Sequence, residues 1–357
     1  QFARFAIGYQ SLYQFAAAIK QVVTNIVELN SELKSIQAIT TATDSEMAGL
    51  SATIKRVAVT SKFSTSEIAK SAKILAQAGI AAKEMSGALS AVVKFASATD
   101  SSLETSADII TSFRAVYKDM TDSKIADQLT KAVNISKLSG EDLQTILSLG
   151  AQTAKDYNLT SEQYLAAVTT LRNAGIKAST VATGLRQAIT EMFNPDTATM
   201  AALEKRYAEI GENLSQSAIK QMFANFQRGS SPLQSAIGEL KRIGFGGEGS
   251  LTLGRGFDIR SVNAITALVD NFKSLSAAEK QITFGSAAAE AADIQMRSLS
   301  NSLKQLGTSF TVFGDAVFGG GVDSLETFVD KVTAAINSLT ELDTKLKSGG
   351  TSLAETG

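Results

Sequence analysis

Proline occurs twice in 357 residues, at Pro195 and Pro232, whereas alanine occurs 52 times. At ordinary usage a chain of this length would carry about 18 prolines, and alanine is the best helix former. Helices in such a chain must be punctuated by caps and glycines, and the sequence supplies both. Ser64-Thr65-Ser66-Glu67, Ser101-Ser102-Leu103-Glu104, Thr160-Ser161-Glu162-Gln163 and Ser276-Ala277-Ala278-Glu279 fit the capping box, in which a hydroxyl and a carboxyl or amide satisfy two orphan N–H groups reciprocally. Each predicts a helix start. Gly79, Gly175, Gly211 and Gly244 follow apolar-periodic runs, where a left-handed residue would end a helix. Asn194-Pro195 stops one because the residue before proline is pushed out of the helical region. The predicted fold class is all-α, a compact core of antiparallel helix pairs with helices of about 12 to 18 residues.

Composition removes whole chemistries. The chain has no His, no Cys and no Trp, so His-based triads, thiolate nucleophiles and metal sites built on N and S ligands are excluded. With 34 basic against 35 acidic residues and a net charge of −1, the interspersed charges make no field for nucleic acid or an anionic membrane. A hydrophobic share of 44% is enough for one large or two ordinary domains. No window reaches the ~18 uninterrupted apolar residues of a spanning helix. Gln1 stands where a native start would carry Met, which reads as a piece of a longer chain.

The two ends carry heptad rows. Phe2, Phe5, Tyr9, Leu12, Ala16, Ile19, Val23, Ile26, Asn30 and Leu33 alternate steps of three and four, a seam with one Asn at an a position. Phe5, Tyr9, Leu12, Ile19, Val23, Ile26, Asn30 and Leu33 are the candidate oligomerisation residues. β-Branched Ile19 and Ile26 at d lean away from a parallel dimer, so a homotrimer is expected. Ile7, Phe15, Val22, Val27 and Leu29 widen the same face, which leaves open that this helix packs on its own domain. A second row runs Ala289, Ala292, Met296, Leu299, Leu303, Leu306, Phe310, Phe313, Val317, and resumes after Gly319, Gly320 and Gly321 as Val322, Leu325, Val329, Val332, Ile336 and Leu339. Three glycines cost about 2 to 3 kcal/mol of helix propensity relative to alanine, which makes them a candidate hinge. The expected organisation is a coiled-coil-like helix over 1–40, a core domain over 41–243, a Gly-rich loop over 244–260 read as a flexible surface loop, and C-terminal helices over 261–357.

Motifs with chemical meaning are weak. Gly244-Phe245-Gly246-Gly247-Glu248-Gly249 matches the dinucleotide pattern, but a helical run precedes it where the fingerprint needs a strand. Lys241, Arg242, Arg255 and Arg260 flank it. Ser31-Glu32-Leu33-Lys34 and Ser217-Ala218-Ile219-Lys220 have the Ser/Lys hydrolase spacing without its companion signatures. A carboxylate pair for glycoside cleavage needs no His, but nothing in the sequence singles one out, and Glu104/Asp108 and Glu204/Glu209 read more simply as exposed helix faces. The expectation is no enzyme, no metal and no cofactor. Thr65-Ser66-Glu67 through Ala78-Gly79-Ile80 parallels Thr160-Ser161-Glu162 through Ala174-Gly175-Ile176, either a duplication or the shared grammar of helix pairs.

Leu50 to Phe63, Ser64 to Ile68, Leu75-Ala76-Gln77-Ala78-Gly79, Ala126-Asp127-Gln128-Leu129, Leu171-Arg172-Asn173-Ala174-Gly175, Thr183-Gly184-Leu185-Arg186 and Asn194-Pro195 carry a resemblance. In order and spacing they resemble the conserved core of phage tail tape measure proteins, from about residue 29 to 211, half of the chain. That family often has Pro in its C-terminal helices where this chain has Gly319 to Gly321. The resemblance implies a virion structural protein that fills the tail tube lumen, sets tail length during assembly and leaves ahead of the DNA. Its implied partners are the tail tube protein, tail tip or distal tail proteins, assembly chaperones and, on ejection, the host inner membrane. Two alternatives fit the composition: a signalling helical bundle, or a membrane-active protein inserting Phe310 to Phe318.

Overall fold

The computed structural model describes residues 27–283, with Thr24, Ala287, Ala288 and Glu290. Helix α1 is helical over 27–40, followed by α2 (Asp44–Val59), α3 (Thr65–Gln77), α4 (Met85–Thr99), α5 (Leu103–Val116), α6 (Asp122–Asn134), α7 (Gly140–Asp156), α8 (Ser161–Asn173), α9 (Ala178–Phe193), α10 (Thr197–Glu209), α11 (Gln216–Arg228), α12 (Pro232–Arg242), α13 (Ser250–Leu253), α14 (Ile259–Asp270) and α15 (Phe272–Thr283). The described residues contain no strand, and the chain is all-α. None of the described helices is long and apolar enough to cross a membrane.

Helix starts follow hydroxyl chemistry. At Ser64 the hydroxyl accepts the N–H of Glu67 at 3.2 Å while the Glu67 carboxylate accepts the Ser64 N–H at 2.8 Å, and Thr160 with Gln163 forms the same box. Two boxes not anticipated above start α2 (Thr43/Glu46) and α7 (Ser139/Asp142). The start read at Ser101 lies one residue later, because Ser102 caps α5 by accepting from the Thr105 N–H. Ser276 starts nothing. It lies inside α15, and its hydroxyl donates to the Phe272 carbonyl one turn back, which competes with capping wherever no chain break precedes the serine.

Helix ends follow backbone conformation. Gly175 has φ +86°; its N–H reaches the Arg172 carbonyl at 3.0 Å and the Ile176 N–H reaches Leu171 at 3.2 Å. That is the Schellman pattern, which ties off orphan carbonyls. Gly79, Gly211 and Gly244 also take positive φ. Asp100 and Asn158 do the same at φ 53° and 63°, since short polar side chains tolerate the left-handed region. Pro195 follows α9, and Pro232 opens α12, where its missing N–H removes a donor that would lack a partner.

The chain divides into two units, with the division inside α3 between Lys73 and Ile74. In the first, α1 buries Leu29 and Ile36, α2 buries Met47, Leu50, Ile54 and Ala58, and α3 buries Ile68, Ala69 and Ala72. Two polar ties join α1 to α3: Ser66 Oγ donates to Glu28 at 2.5 Å, and Lys73 Nζ lies 3.0 Å from Glu32. Asn30 and Leu33 are half-buried on α1. Phe5, Tyr9, Leu12, Ile19, Val23 and Ile26, the C-terminal heptad rows past Glu290 and Gly319 to Gly321 lie outside the described residues.

The second unit, Ile74–Ser298, is built around α8. Every residue from Gln163 to Leu171 is buried, because α6, α7, α9, α14 and α15 all pack on it. A helix with no solvent face cannot carry polar groups that need water. Accordingly Thr170 Oγ1 turns to the Ala166 carbonyl at 2.7 Å, and Thr169 turns to Leu165. Tyr164 is fully buried, and its hydroxyl donates to the Ile146 carbonyl of α7 at 3.0 Å. The phenol fits only because Gly150 has no side chain: a Cβ there would lie 2.5 Å from the Tyr164 oxygen.

Gly150→Ala is therefore expected to destabilise the unit by about 1 to 3 kcal/mol through overpacking, and Tyr164→Phe by about 1 kcal/mol through the lost hydrogen bond. The double variant should lose clearly less than the sum, because the removed hydroxyl vacates the space of the new methyl. Urea unfolding of the four proteins measures this, and strict additivity would refute the contact.

Candidate functional site

The sequence's catalytic candidates disperse. Ser31 and Lys34 are exposed on α1, as are Ser217 and Lys220 on α11, where Ser217 Oγ lies 2.9 Å from Ser215 Oγ. Glu204 accepts from Gln216 at 2.7 Å, and Glu209 accepts from Arg206 at 3.1 Å and from Thr252 at 2.9 Å. Asp108 accepts from Gln144 at 3.3 Å, and its carboxyl is pushed up by burial first and by the Glu104 charge second. Among the described residues no group of three or more acidic side chains is placed to hold a metal. An open depression of about 290 Å³ between the α3–α4 turn and the end of α5 is lined by Gly79, Thr111, Arg114 and Lys118. Its guanidinium is already clamped, at 2.8 Å to Glu84 and 2.9 Å to Asp122, and Thr111 Oγ1 donates to Ala107 at 2.8 Å.

The glycine run has a packing explanation. Phe245, Leu253 and Phe257 are buried, and the two phenylalanine rings meet edge to face at 5.4 Å. The segment read as a flexible surface loop is instead folded against α10. Arg206 of α10 donates through Nε to the Ile243 carbonyl at 2.6 Å. A Cβ on Gly249 would lie 2.7 Å from that Nε and from that carbonyl, and one on Gly256 would lie 2.7 Å from the Ala198 carbonyl. The glycines allow backbone to pass over a helix, not over a phosphate. Arg255 and Arg260 are exposed, as are Leu251 and Ile259. Behind this segment the buried carboxylate of Glu191 accepts from the Asp258 N–H at 3.2 Å and from the Ser261 hydroxyl, which fixes the start of α14.

The segments that carry the family resemblance meet at helix joints. Arg172, at the end of α8, donates to the Ile176 carbonyl at 2.7 Å, to the Lys137 carbonyl at 3.0 Å and to Asp142 at 2.8 Å. Asn173 beside it donates to the Ile135 carbonyl at 3.0 Å and accepts from the Lys137 N–H at 3.2 Å. Two adjacent residues thus tie the α6–α7 connection at Ile135 and Lys137. Gly184 of α9 lets the Arg260 carbonyl of α14 approach where a Cβ would lie 2.9 Å away. On α6, buried Gln128 donates to Glu162 at 2.6 Å, Lys124 Nζ lies 3.3 Å from the same carboxylate, and Asp127 accepts from the Ala288 N–H at 3.0 Å. Burial works to raise the Glu162 carboxyl, but its own N–H, the Ser161 and Thr160 hydroxyls and Lys124 outweigh it and hold the group below the usual range. Its ionised form therefore adds stability that is lost as pH falls through the depressed value.

This cluster, Lys124, Asp127, Gln128 and Glu162, is the strongest candidate functional site: it holds α6 to α8 and receives the chain beyond α15. Sequence spacing could not assemble it, since Asp127 and Ala288 are 161 positions apart. Its chemistry is that of joining helices, with Gln128 Nε2, Lys124 Nζ and the Asp127 carboxylate each aimed at another part of the same chain.

Comparison with known proteins fits that character. The family model described as phage-related minor tail protein matches residues 51–351. The tape measure protein of Pneumococcus phage Dp-1 is 24% identical over 337 residues, which cover 92% of this chain and 28% of that protein. The chain thus spans less than a third of the length of that curated relative. No solved structure matches.

Proposed function

Because this chain belongs to the phage-related minor tail protein family, and so has a structural role in a phage tail, we propose that it is the core segment of a tape measure protein. The observation that carries this reading is the likeness to the Dp-1 tape measure protein along 92% of the chain. The full protein would fill the lumen of the tail tube, set tail length during assembly and leave ahead of the DNA. Its partners would be the tail tube protein, tail tip or distal tail proteins, assembly chaperones and, on ejection, the host inner membrane; its place is the virion tail, after assembly in the host cytoplasm. The proposed division of labour is a seam helix over 1–40, a core over 41–243, the glycine segment over 244–260 and C-terminal helices over 261–357. The role needs no catalysis and no cofactor. If length is read out as helix, inserting 100 helix-forming residues into the full-length protein should lengthen the tail by about 150 Å. Electron micrographs showing unchanged tails would overturn the reading.

Two finer proposals accompany it. The row Phe5, Tyr9, Leu12, Ile19, Val23, Ile26, Asn30 and Leu33 would join three copies around the tube axis, with Asn30 fixing register. Asn30→Ile in the full-length protein should then raise stability and blur stoichiometry in analytical ultracentrifugation; no change in either would place Asn30 at the edge of a helix packed on its own domain. Gly319, Gly320 and Gly321 would act as a hinge between the two C-terminal heptad runs. Replacing all three by alanine should impair assembly or infection, and normal plaque numbers would end the hinge proposal.

A further inference from the structure

Eight helices of the second unit fall into two rows. In one, α5 packs on α7, α7 on α9 and α9 on α14; in the other, α4 packs on α6, α6 on α8 and α8 on α15. The rows also meet, α4 on α5 and α14 on α15. From α4 to α9 the chain alternates between them, one helix in each. It leaves the rows at the end of α9 and rejoins them at α14, beside the helix it left. Exit and return are clasped together. Glu191, in the last turn of α9 and 7% exposed, accepts from Gln187 of its own helix at 2.9 Å, from the Asp258 N–H at 3.2 Å and from the Ser261 hydroxyl. Two turns earlier, Gly184 lets the α14 backbone close in at Arg260. The chain thus departs and returns at one place, the geometry that lets a segment be inserted into an already folded body.

What lies between has a core and a polar framework of its own. Leu203 of α10, Phe223 of α11, Ile237 and Leu240 of α12 and Leu253 of α13 are buried, with α10 packed on α11 and α13, and α11 on α12. Tyr207 donates to Glu239 at 2.7 Å, Arg242 holds Glu239 and Glu212 at 2.6 Å each, and Thr199 donates to the Gly256 carbonyl at 2.9 Å. With the Arg206 and Thr252 bonds described above, each of these joins two parts of the same segment. Toward the rows, α11 reaches α9, and α12 reaches α14 and α15. Gln163 donates to the Ser230 carbonyl at 2.9 Å and Asn158 to the Gln227 carbonyl at 3.5 Å, while Lys241 lies over the Phe272 ring at 5.6 Å.

We infer that residues 196–257 form an inserted lid, which opens and closes as one body on the Glu191 clasp while the two rows stay folded. Opening separates α11 from α9 and α12 from α14 and α15, and bares the Phe272 ring and the Gln163 amide. Because the clasp joins α9 to α14 directly, the rows keep their own contacts when the lid is away. The inference belongs to the chain alone and does not rest on the tape measure reading.

Hydrogen exchange of the whole chain at fixed pH and temperature reads such an opening directly. Peptides over 199–253 should exchange at least tenfold faster than those of α7 and α8; equal rates would overturn the lid. Ile146→Val, in the buried face of α7, should speed α7 and α8 several-fold and leave 199–253 within twofold, because the lid opens with the rows intact. Leu143→Ala replaces it if the valine variant moves the rows too little to read. Lid and rows accelerating equally would overturn the lid as a separate body. Ile237→Val of α12 should speed α10, α11, α12 and α13 together, and acceleration confined to α12 would overturn the lid as one body. In Glu191→Ala the peptides of α14 should rise to the rate of the lid, since nothing then holds α14 to the end of α9 when the lid leaves. Glu191→Gln, which keeps one acceptor oxygen, should give a smaller rise and serves if the alanine variant folds poorly. Unchanged exchange in α14 in both variants would overturn the clasp.

Discussion

Nine consecutive residues of α8, from Gln163 to Leu171, are buried, none more than 3% exposed, and the second unit follows from that constraint. A helix enclosed on every side needs neighbours on every side, small residues where they come closest, and an internal partner for each hydroxyl. Ala166 and Ala167 supply the first kind of fit, and Thr169 and Thr170, bonded back to their own helix, supply the second. Tyr164 goes further, crossing to a carbonyl of α7 through the gap left at Gly150. The alanine richness that predicts helices thus also lets one helix be wrapped by five.

The polar joints at the two ends of α8 do a different job. Hydrophobic stripes bring helices together without fixing their connections. Arg172 and Asn173 satisfy the carbonyls and N–H groups of the α6–α7 connection, and Glu162 gathers Gln128 and Lys124 at the opposite end. A buried, hydrogen-bonded charge adds little net stability but penalises alternative arrangements, in which it would lose its partners. In a core where small side chains leave few shape constraints, such joints can specify which helix meets which.

The sequence made local punctuation legible and tertiary reasons illegible. Ser64 with Glu67 and Thr160 with Gln163 read correctly because both halves of a capping box lie within four residues. Ser276 with Glu279 has the same spacing inside a helix, and only the Phe272 carbonyl one turn back reveals the difference. Glycine stops were readable and the equivalent stops at Asp100 and Asn158 were not, since nothing local separates them from ordinary polar residues. The run from Gly244 to Gly249 invited a phosphate-loop reading, and its actual reason, Arg206, lies some 40 positions earlier. The resemblance picked out Arg172-Asn173 and Asp127-Gln128 as pattern alone, and their roles as ties depend on partners 30 to 161 positions away.

Ending helices with left-handed glycines also bears on how fast such a body can form. Each bond preceding a proline populates the cis form at roughly 10 to 30% in an unfolded chain and reverts over tens of seconds. With only Asn194–Pro195 and Ser231–Pro232 at stake, roughly half to four fifths of unfolded chains carry both bonds in trans, the form both take in the folded protein. Eighteen prolines would have left only about 15% of chains all-trans at the lower cis fraction and well under 1% at the higher. Most molecules can therefore collapse at the rate set by helix formation and packing, without waiting on an isomerase.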